Sequence, residues 1–509
     1  MLSGDGNSKF WKNQPAVGPS GSRFRTWLVS AFGSLWRTKD WVFDGYRQYS
    51  KRGSFFAVRT IDRGNLLVVP PRQIKSIYSL PETILDVLVT ANESIQTKWT
   101  VWDNEVDGKP FHMDVIRNQI THNLVLLTPP IATELSIAFE REWGTSTTEW
   151  KMIDPWSSAL KIVAGAANAA LCGTDLCRNG EFLERLGTHA MCMFAGSLLI
   201  SSTPRAFRWI SGYIIGWTSY YLFRRVLKIC LPVVLERLVN TAALISDAGY
   251  HWTPPRDGLQ WLIDEAYATC DPNQLDPERL AHRLVFLNDV SMHSTGYTAQ
   301  HVILDLASQD PSLGYIEALR EEAGKVLKEA GGTWTRQAVT KLKLVISSHG
   351  ITVQQGNSAL NIPKGTLLGI PVQAIHYDES LYPDSKTFNP FRFSQPSIVR
   401  DIIDASADNS KPVSGSGGET TQNSHVKSKS SVTIDDGFLS FGFGKHACPG
   451  RFFALNELKM FVATLVLNYD IEHLQETGPR TTPILWLNVP KLFNGPKVRV
   501  RRRIPVEAA

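Results

Sequence analysis

Cysteine is scarce, with six residues in 509, at positions 172, 177, 192, 230, 270 and 448. In so long a chain, that scarcity excludes a disulfide-stapled scaffold and makes reduced thiols the default. Cys172 and Cys177 form a CxxxxC pair without neighbouring partner ligands. That spacing speaks for buried free thiols over a zinc site. Blocks of like charge are also missing. The densest, VRVRRR at 498–503, reads as a solvated strand end, and a net charge of +5 gives no footprint for nucleic acid. No apolar run reaches the roughly 20 residues of a membrane-spanning helix. The longest uncharged one, WISGYIIGWTSYYLF at 209–223, lies between Arg208 and Arg224. It suits a surface-apolar helix that touches a membrane or lines a greasy entrance. The first residues, MLSGDGNSKFWKNQ, are polar and match neither a secretory signal nor a membrane anchor.

What is present is a large apolar share, 43%, enough for one big domain or two to three ordinary ones. Alternation of apolar and polar residues over 54–80 predicts a small β-hairpin. From about 81 to 345 the pattern is helical, punctuated at 129–130, 204, 254–255 and 271–277 by proline and turn residues. One predicted helix is unusually long and runs from Asp276 to about 309, with Asp276 as N-cap and Pro277 at its first position. Its middle is odd. Ser291, His293, Ser294, Thr295, Gly296 and Thr298 crowd between two halves that are apolar nearly all round. A polar patch inside a buried helix generally lines something. The stretch at 403–433, rich in Ser, Gly, Asn and Lys, predicts a disordered surface loop.

Residues 441–450 read FGFGKHACPG and lead into the helical repeat GRFFALNELKMFVATLVLNY. A cysteine just before a helix meets free N–H groups and a partial positive charge, which favour thiolate. Gly442, Gly444 and Gly450 let the backbone approach a flat object, Phe441 can cover the sulfur, and Lys445 and His446 bring positive charge. A shielded thiolate facing a planar anionic partner fits cysteinate-held haem iron. On residue types alone, a buried free cysteine in a Gly-rich turn and a nucleophilic cysteine stay open. The latter would need a base and an orienting group.

FGFGKHACPG resembles the cysteine-ligand signature of cytochrome P450 monooxygenases, FxxGxRxCxG: Phe441, Gly444, Cys448 and Gly450 match, and His446 replaces Arg as in fungal members. The long helix is similar to the family's central helix and its [AG]GxDT motif. There Ser291, Met292, His293 and Ser294 stand, followed by Thr295, with His293 at the acid and Ser294 at the threonine position. LCGTDLCRNGEFLERL (171–186), DVIRNQITHNLVLLTP (114–129) and FNPFRF (388–393) also resemble fungal members of terpenoid, alkaloid and polyketide metabolism. The resemblance implies a mainly α (α+β) fold: a helix-rich domain over 23–509 with small sheets, preceded by a polar tail and proline-rich hinge over 1–22. It implies haem b with Cys448 as axial ligand, a pocket shaped by Phe441, Gly444 and Gly450, and His446 and Arg117 at the haem propionates. It further implies proton relay to dioxygen by His293, Ser294 and Thr295. The implied partners are O2, a hydrophobic substrate, and NADPH–cytochrome P450 reductase drawn to Lys445, Arg451 and Lys459. Residues 102–125 and 191–223 would line the substrate pocket, and 191–223 would also cap the channel and dip into the endoplasmic reticulum membrane from its cytosolic face.

Two family parts have no counterpart in the sequence. PAVGPSG at 15–21 resembles the hinge that follows the N-terminal anchor, but only fourteen residues precede it. No Glu-x-x-Arg lies in 340–365, where the family carries one whose Glu and Arg join a third residue, here Arg392, in a buried charge cluster. Glu317 and Arg320 have that spacing but align with the preceding helix. Two alternatives accompany the monooxygenase reading: a haem-poor non-catalytic relative, and an O2-independent haem-thiolate enzyme that rearranges its substrate. The polar patch at 291–298 speaks against the second alternative.

Overall fold

The computed structural model describes residues 5–19, 24–62, 64–81, 83–342, 362–363, 365–389, 391, 438–474, 481–484, 487–490 and 495–504. Arg392, the 403–433 stretch and most of 340–365 lie outside these residues.

The alternating stretch pairs as predicted but over a shorter span. Phe56–Thr60 and Gly64–Val68 run antiparallel, with Ala57 opposite Leu67 and Thr60 opposite Gly64. The chain then enters a helix, Pro71–Tyr78, with proline in its first turn. Ala16–Val17 and Leu367–Gly369 add parallel strands on either side of the hairpin. Arg499, Arg501 and Arg502 of VRVRRR belong to a second sheet, and Arg503 follows it. Val498–Arg502 lies between Lys151–Ile153 and Tyr469–Ile471, with Val498 and Val500 buried. The arginines of the run meet carboxylates: Arg499 reaches Glu472 at 2.8 Å, and Arg503 reaches Asp470 at 2.7 Å.

Helices carry the rest. Leu124–Trp143 runs straight through Pro129 and Pro130, where the sequence predicted a break. Both prolines fall in its second turn, and Thr128 Oγ1 bonds the Leu124 carbonyl at 2.6 Å. The long helix is Pro277–Ala307; Asp276 accepts from the Arg279 N–H at 2.8 Å, as an N-cap should. Its 31 residues span about 46 Å at 1.5 Å per residue. The alanine-rich Pro155–Leu171 lies against it so closely that a Cβ on Gly296 would come within 3.3 Å of the Leu160 Cα. Gly296 therefore serves packing, although it sits in the polar patch. Arg451–Asn468 completes the same core.

Two further helices, Gly180–Ser202 and Arg208–Ser246, cross the long helix. A buried polar cluster joins the three. His189 Nδ1 lies 2.9 Å from Asp289 Oδ2, and His189 Nε2 lies 3.4 Å from Ser219 Oγ. The apolar run at 209–223 is the first half of Arg208–Ser246, a helix that continues well past Arg224. Its two faces differ. Gly212, Gly216 and Ser219 are buried, and Trp102 Nε1 donates to the Gly216 carbonyl at 2.8 Å. Trp209, Tyr213, Trp217 and Tyr221, spaced at i, i+4, are each more than half exposed.

Candidate functional site

The 441–450 loop turns on glycine. Gly442 and Gly444 have φ of +79° and +59°, and a Cβ on Gly444 would sit 2.9 Å from the Tyr78 carbonyl. The Cys448 N–H donates to the Phe441 carbonyl at 2.8 Å, closing the loop. Gly450 then caps Arg451–Asn468, and the Arg451 guanidinium donates back to the Cys448 carbonyl at 3.0 Å. Burial raises the Cys448 thiol above its ordinary value, while the backbone N–H groups of Gly450 and Arg451 and the Arg451 charge pull it down.

Cys448 opens into a cavity of about 530 Å³. Pro449, Gly450 and Phe453 share its wall with it. The long helix contributes Phe286, Leu287, Val290, Ser291, Ser294 and Thr295. Further lining comes from Leu88, Ala91 and Ile95 of the helix Val87–Ile95, from Val101, Val106, His112, Met113, Ile116 and Ile120, and from the polar Asn92, Ser94 and Thr97. The lining is mostly aliphatic. Hydroxyls from Ser291, Ser294 and Thr295 thus share one apolar space with a thiol.

The predicted site residues separate into two groups. Cys448, Gly450, Ser294 and Thr295 line the cavity. Among the described residues, Ser294 Oγ bonds only carbonyls of its own helix, Val290 at 3.4 Å and Ser291 at 3.3 Å. His293 is outside the lining, packed between Trp156 and Phe194 at ring distances of 5.9 and 5.2 Å. Neither of its ring nitrogens has a hydrogen-bond partner among the described residues, and burial pushes its pKa down to about 4. Phe441 and Gly444 shape the loop behind the cysteine. His446 Nε2 lies 3.4 Å from the Leu80 carbonyl. Arg117, about half exposed, faces Asp114 at 3.7 Å and is not part of the lining. It sits in a π-helical turn, Val115–Ile120.

Other expectations need correction. Lys459 is buried and donates to the Leu342 carbonyl at 2.6 Å, so it cannot meet a partner's surface. Of the two stretches expected to line the pocket, 102–125 does so through Val106, His112, Met113, Ile116 and Ile120, whereas no residue of 191–223 lines the cavity and Leu88–Thr97 takes its place. Sequence reading also missed Glu457, nine residues after Cys448. It is fully buried, its Oε1 unpartnered among the described residues, and burial pushes it up to about 8.

Comparison with known proteins settles the family. Residues 348–495 match the cytochrome P450 family model. The match starts inside the stretch that lacks Glu-x-x-Arg. Cytochrome P450 monooxygenase okaG of Penicillium ochrochloron is 38% identical over 498 residues, covering 94% of this chain and 91% of that relative. The chain belongs to the cytochrome P450 family. Two further P450 monooxygenases, htyF of Aspergillus rugulosus and gloP of Glarea lozoyensis, are 31% and 30% identical over 93% and 98% of this chain, and over 70% and 92% of their own lengths. This P450 is therefore an oxidoreductase enzyme of the monooxygenase type with the helix-rich fold of its family. Members of that family carry haem with a cysteinate ligand. The donor set here suits that group: one thiol, with two N–H groups beside it, facing a largely apolar cavity of about 530 Å³.

Proposed function

We propose that this P450 oxidises a hydrophobic small molecule, by hydroxylation or a related reaction, in fungal secondary metabolism. The observation that carries this reading is the cavity itself, where Cys448, Ser294 and Thr295 meet in one largely apolar space. Cys448 would hold haem b, which when bound supplies the oxygen-activating redox chemistry. Pro449, Gly450 and Phe453 would bound the thiolate side. Ser294 and Thr295 would hold protons at their Oγ atoms on the oxygen side. His293 would act there only by swinging off Trp156 and Phe194. The aliphatic walls would exclude water and accept a greasy substrate.

Electrons would come from NADPH–cytochrome P450 reductase at the Cys448 face, where Lys445 is exposed. The aromatic stripe Trp209, Tyr213, Trp217 and Tyr221 would rest on the cytosolic face of the endoplasmic reticulum. Arg208–Ser246 is long and apolar enough to cross a membrane by length and composition. Its buried glycine face, packed on Trp99 and Trp102, favours lying on the surface.

The haem spectrum tests the reading. Protein expressed with haem precursor should show the thiolate-type Soret band in its reduced carbon-monoxide complex, and Cys448→Ala should abolish it. The same band in Cys448→Ala would overturn the assignment. A second reading, a haem-poor non-catalytic relative, draws on the missing Glu-x-x-Arg. Folded wild-type protein that takes up no haem would favour it.

A further inference from the structure

His112 stands in the cavity wall and is almost fully buried, at 3% exposure. Its partner is remote in sequence. Arg283, on the second turn of the long helix, is completely buried and reaches across to the 105–112 segment. Its guanidinium donates to the carbonyls of Glu105 at 2.9 Å, Val106 at 3.3 Å and Lys109 at 2.8 Å, and to Gln274 Oε1 at 2.7 Å. It also stacks on the Phe111 ring at 4.0 Å. Its last contact is His112 Nδ1 at 3.2 Å.

That last contact decides a tautomer. A guanidinium has N–H donors and no acceptor, so Nδ1 must be the bare, accepting nitrogen. A second proton on the ring is disfavoured by burial, by the Arg283 charge and by His282, which together push His112 down to about 3. The one ring proton therefore sits on Nε2. Nε2 makes no hydrogen bond among the described residues, and the ring is held edge-on to Phe286, another lining residue, at 5.3 Å.

We propose that Arg283 locks His112 as a neutral Nε2–H donor, presented in the cavity wall to the oxygen acceptor of a bound molecule. The chemistry is one N–H meeting an oxygen lone pair. That oxygen has two sources, a carboxylate of the haem edge or a carbonyl or hydroxyl of the substrate. The proposal rests on reading this cavity as the haem and substrate cavity. Arg283 is a positioning residue here, acting through His112 and through the backbone it gathers.

The lock is read without turnover. In the histidine-labelled full chain, with any bound haem in its ferrous carbon-monoxide form, nitrogen-15 correlation identifies the His112 signal by its loss in His112→Gln. The expected pattern is a protonated Nε2 and a bare Nδ1 at neutral pH, lost in Arg283→Lys. An Nδ1–H tautomer or an imidazolium overturns the proposal. Because haem loading does not enter this measurement, its failure is distinct from failure of the Cys448 assignment.

The acceptor is read by binding. For a carboxylate acceptor, His112→Phe weakens haem binding about tenfold. Haem dimethyl ester, which has no free carboxylate, then loses less than about twofold, and His112→Gln, which keeps a donor near Nε2, restores haem. For a substrate acceptor, haem binding is unchanged. The affinity for menthone then falls about tenfold in His112→Phe, and that for menthane, its hydrocarbon counterpart, does not. No loss in either arm overturns the proposal.

Discussion

Two stretches around the cavity each bury a neutral histidine and treat it in opposite ways. His293 lies in the polar centre of the long helix, yet its ring turns to Trp156 and Phe194 and meets no hydrogen-bond partner among the described residues. His112 lies in an apolar wall segment, yet its Nδ1 is engaged by a buried guanidinium and its ring faces the cavity. Polarity in the sequence around a residue says little about what its side chain meets. What decides is the direction in which the backbone points it and whether a remote partner holds it there.

The largest effect expected from this comparison is at Arg283. Arg283→Met keeps apolar bulk but leaves three carbonyls, Gln274 and His112 without their shared donor. Leaving these buried acceptors unsatisfied costs about 1–3 kcal/mol, readable as a lowered urea midpoint. Ser294→Ala, on the same helix, removes bonds only to the helix's own carbonyls and should cost below about 0.5 kcal/mol. Equal losses in the two variants would break the contrast between an anchored wall and a lining hydroxyl.

A medium effect separates the histidines by pH. An unfolded imidazole takes its proton below about 6.5, whereas folded His293 does so only below about 4. The unfolded state therefore binds more protons within that window, and stability falls as pH drops through it. His112 and His282 add to the same slope, being held at about 3 and about 4. His293→Leu should flatten the acid side of the stability profile, measured as urea midpoints from neutral pH downwards, while His112 and His282 keep the rest. A profile of unchanged slope would show that His293 finds a proton-stabilising partner in solution.

The part of the site legible in the sequence was the part written in backbone chemistry. The Gly-rich turn before Cys448, the Asp276 cap with Pro277, and the interrupted apolar pattern of the long helix all act locally, so residue types revealed them. Facing was not legible. At about 100° per residue, the motif that puts Ser294 and Thr295 on the cavity turns His293 off it, and spacing along a helix does not fix that rotation. Nor was the wall from Leu88 to Val101, because aliphatic residues lining a cavity match those of a core. The His112–Arg283 contact joins positions 171 apart in the chain, and no local pattern reports it. Glu457 reads as an ordinary charged residue on an amphipathic helix until that helix is seen buried on every side.

The smallest effect tests a motif against its surroundings. Glu317 and Arg320 carry the Glu-x-x-Arg spacing that the family uses in a buried cluster. Here Glu317 is 57% exposed in its side chain and lies 3.7 Å from Arg320. Arg320 is held instead by the Val466 carbonyl at 2.8 Å, with Asp470 at 3.7 Å. A solvent-screened pair of this length is worth about 0–1 kcal/mol. Glu317→Gln should therefore shift the urea midpoint by less than about 0.5 kcal/mol equivalent and leave haem content unchanged. Loss of haem in that variant would show that the spacing, and not the burial, carries the family's function in this chain. Unchanged haem would instead set Glu317 beside His293 as a residue whose motif position outruns its environment.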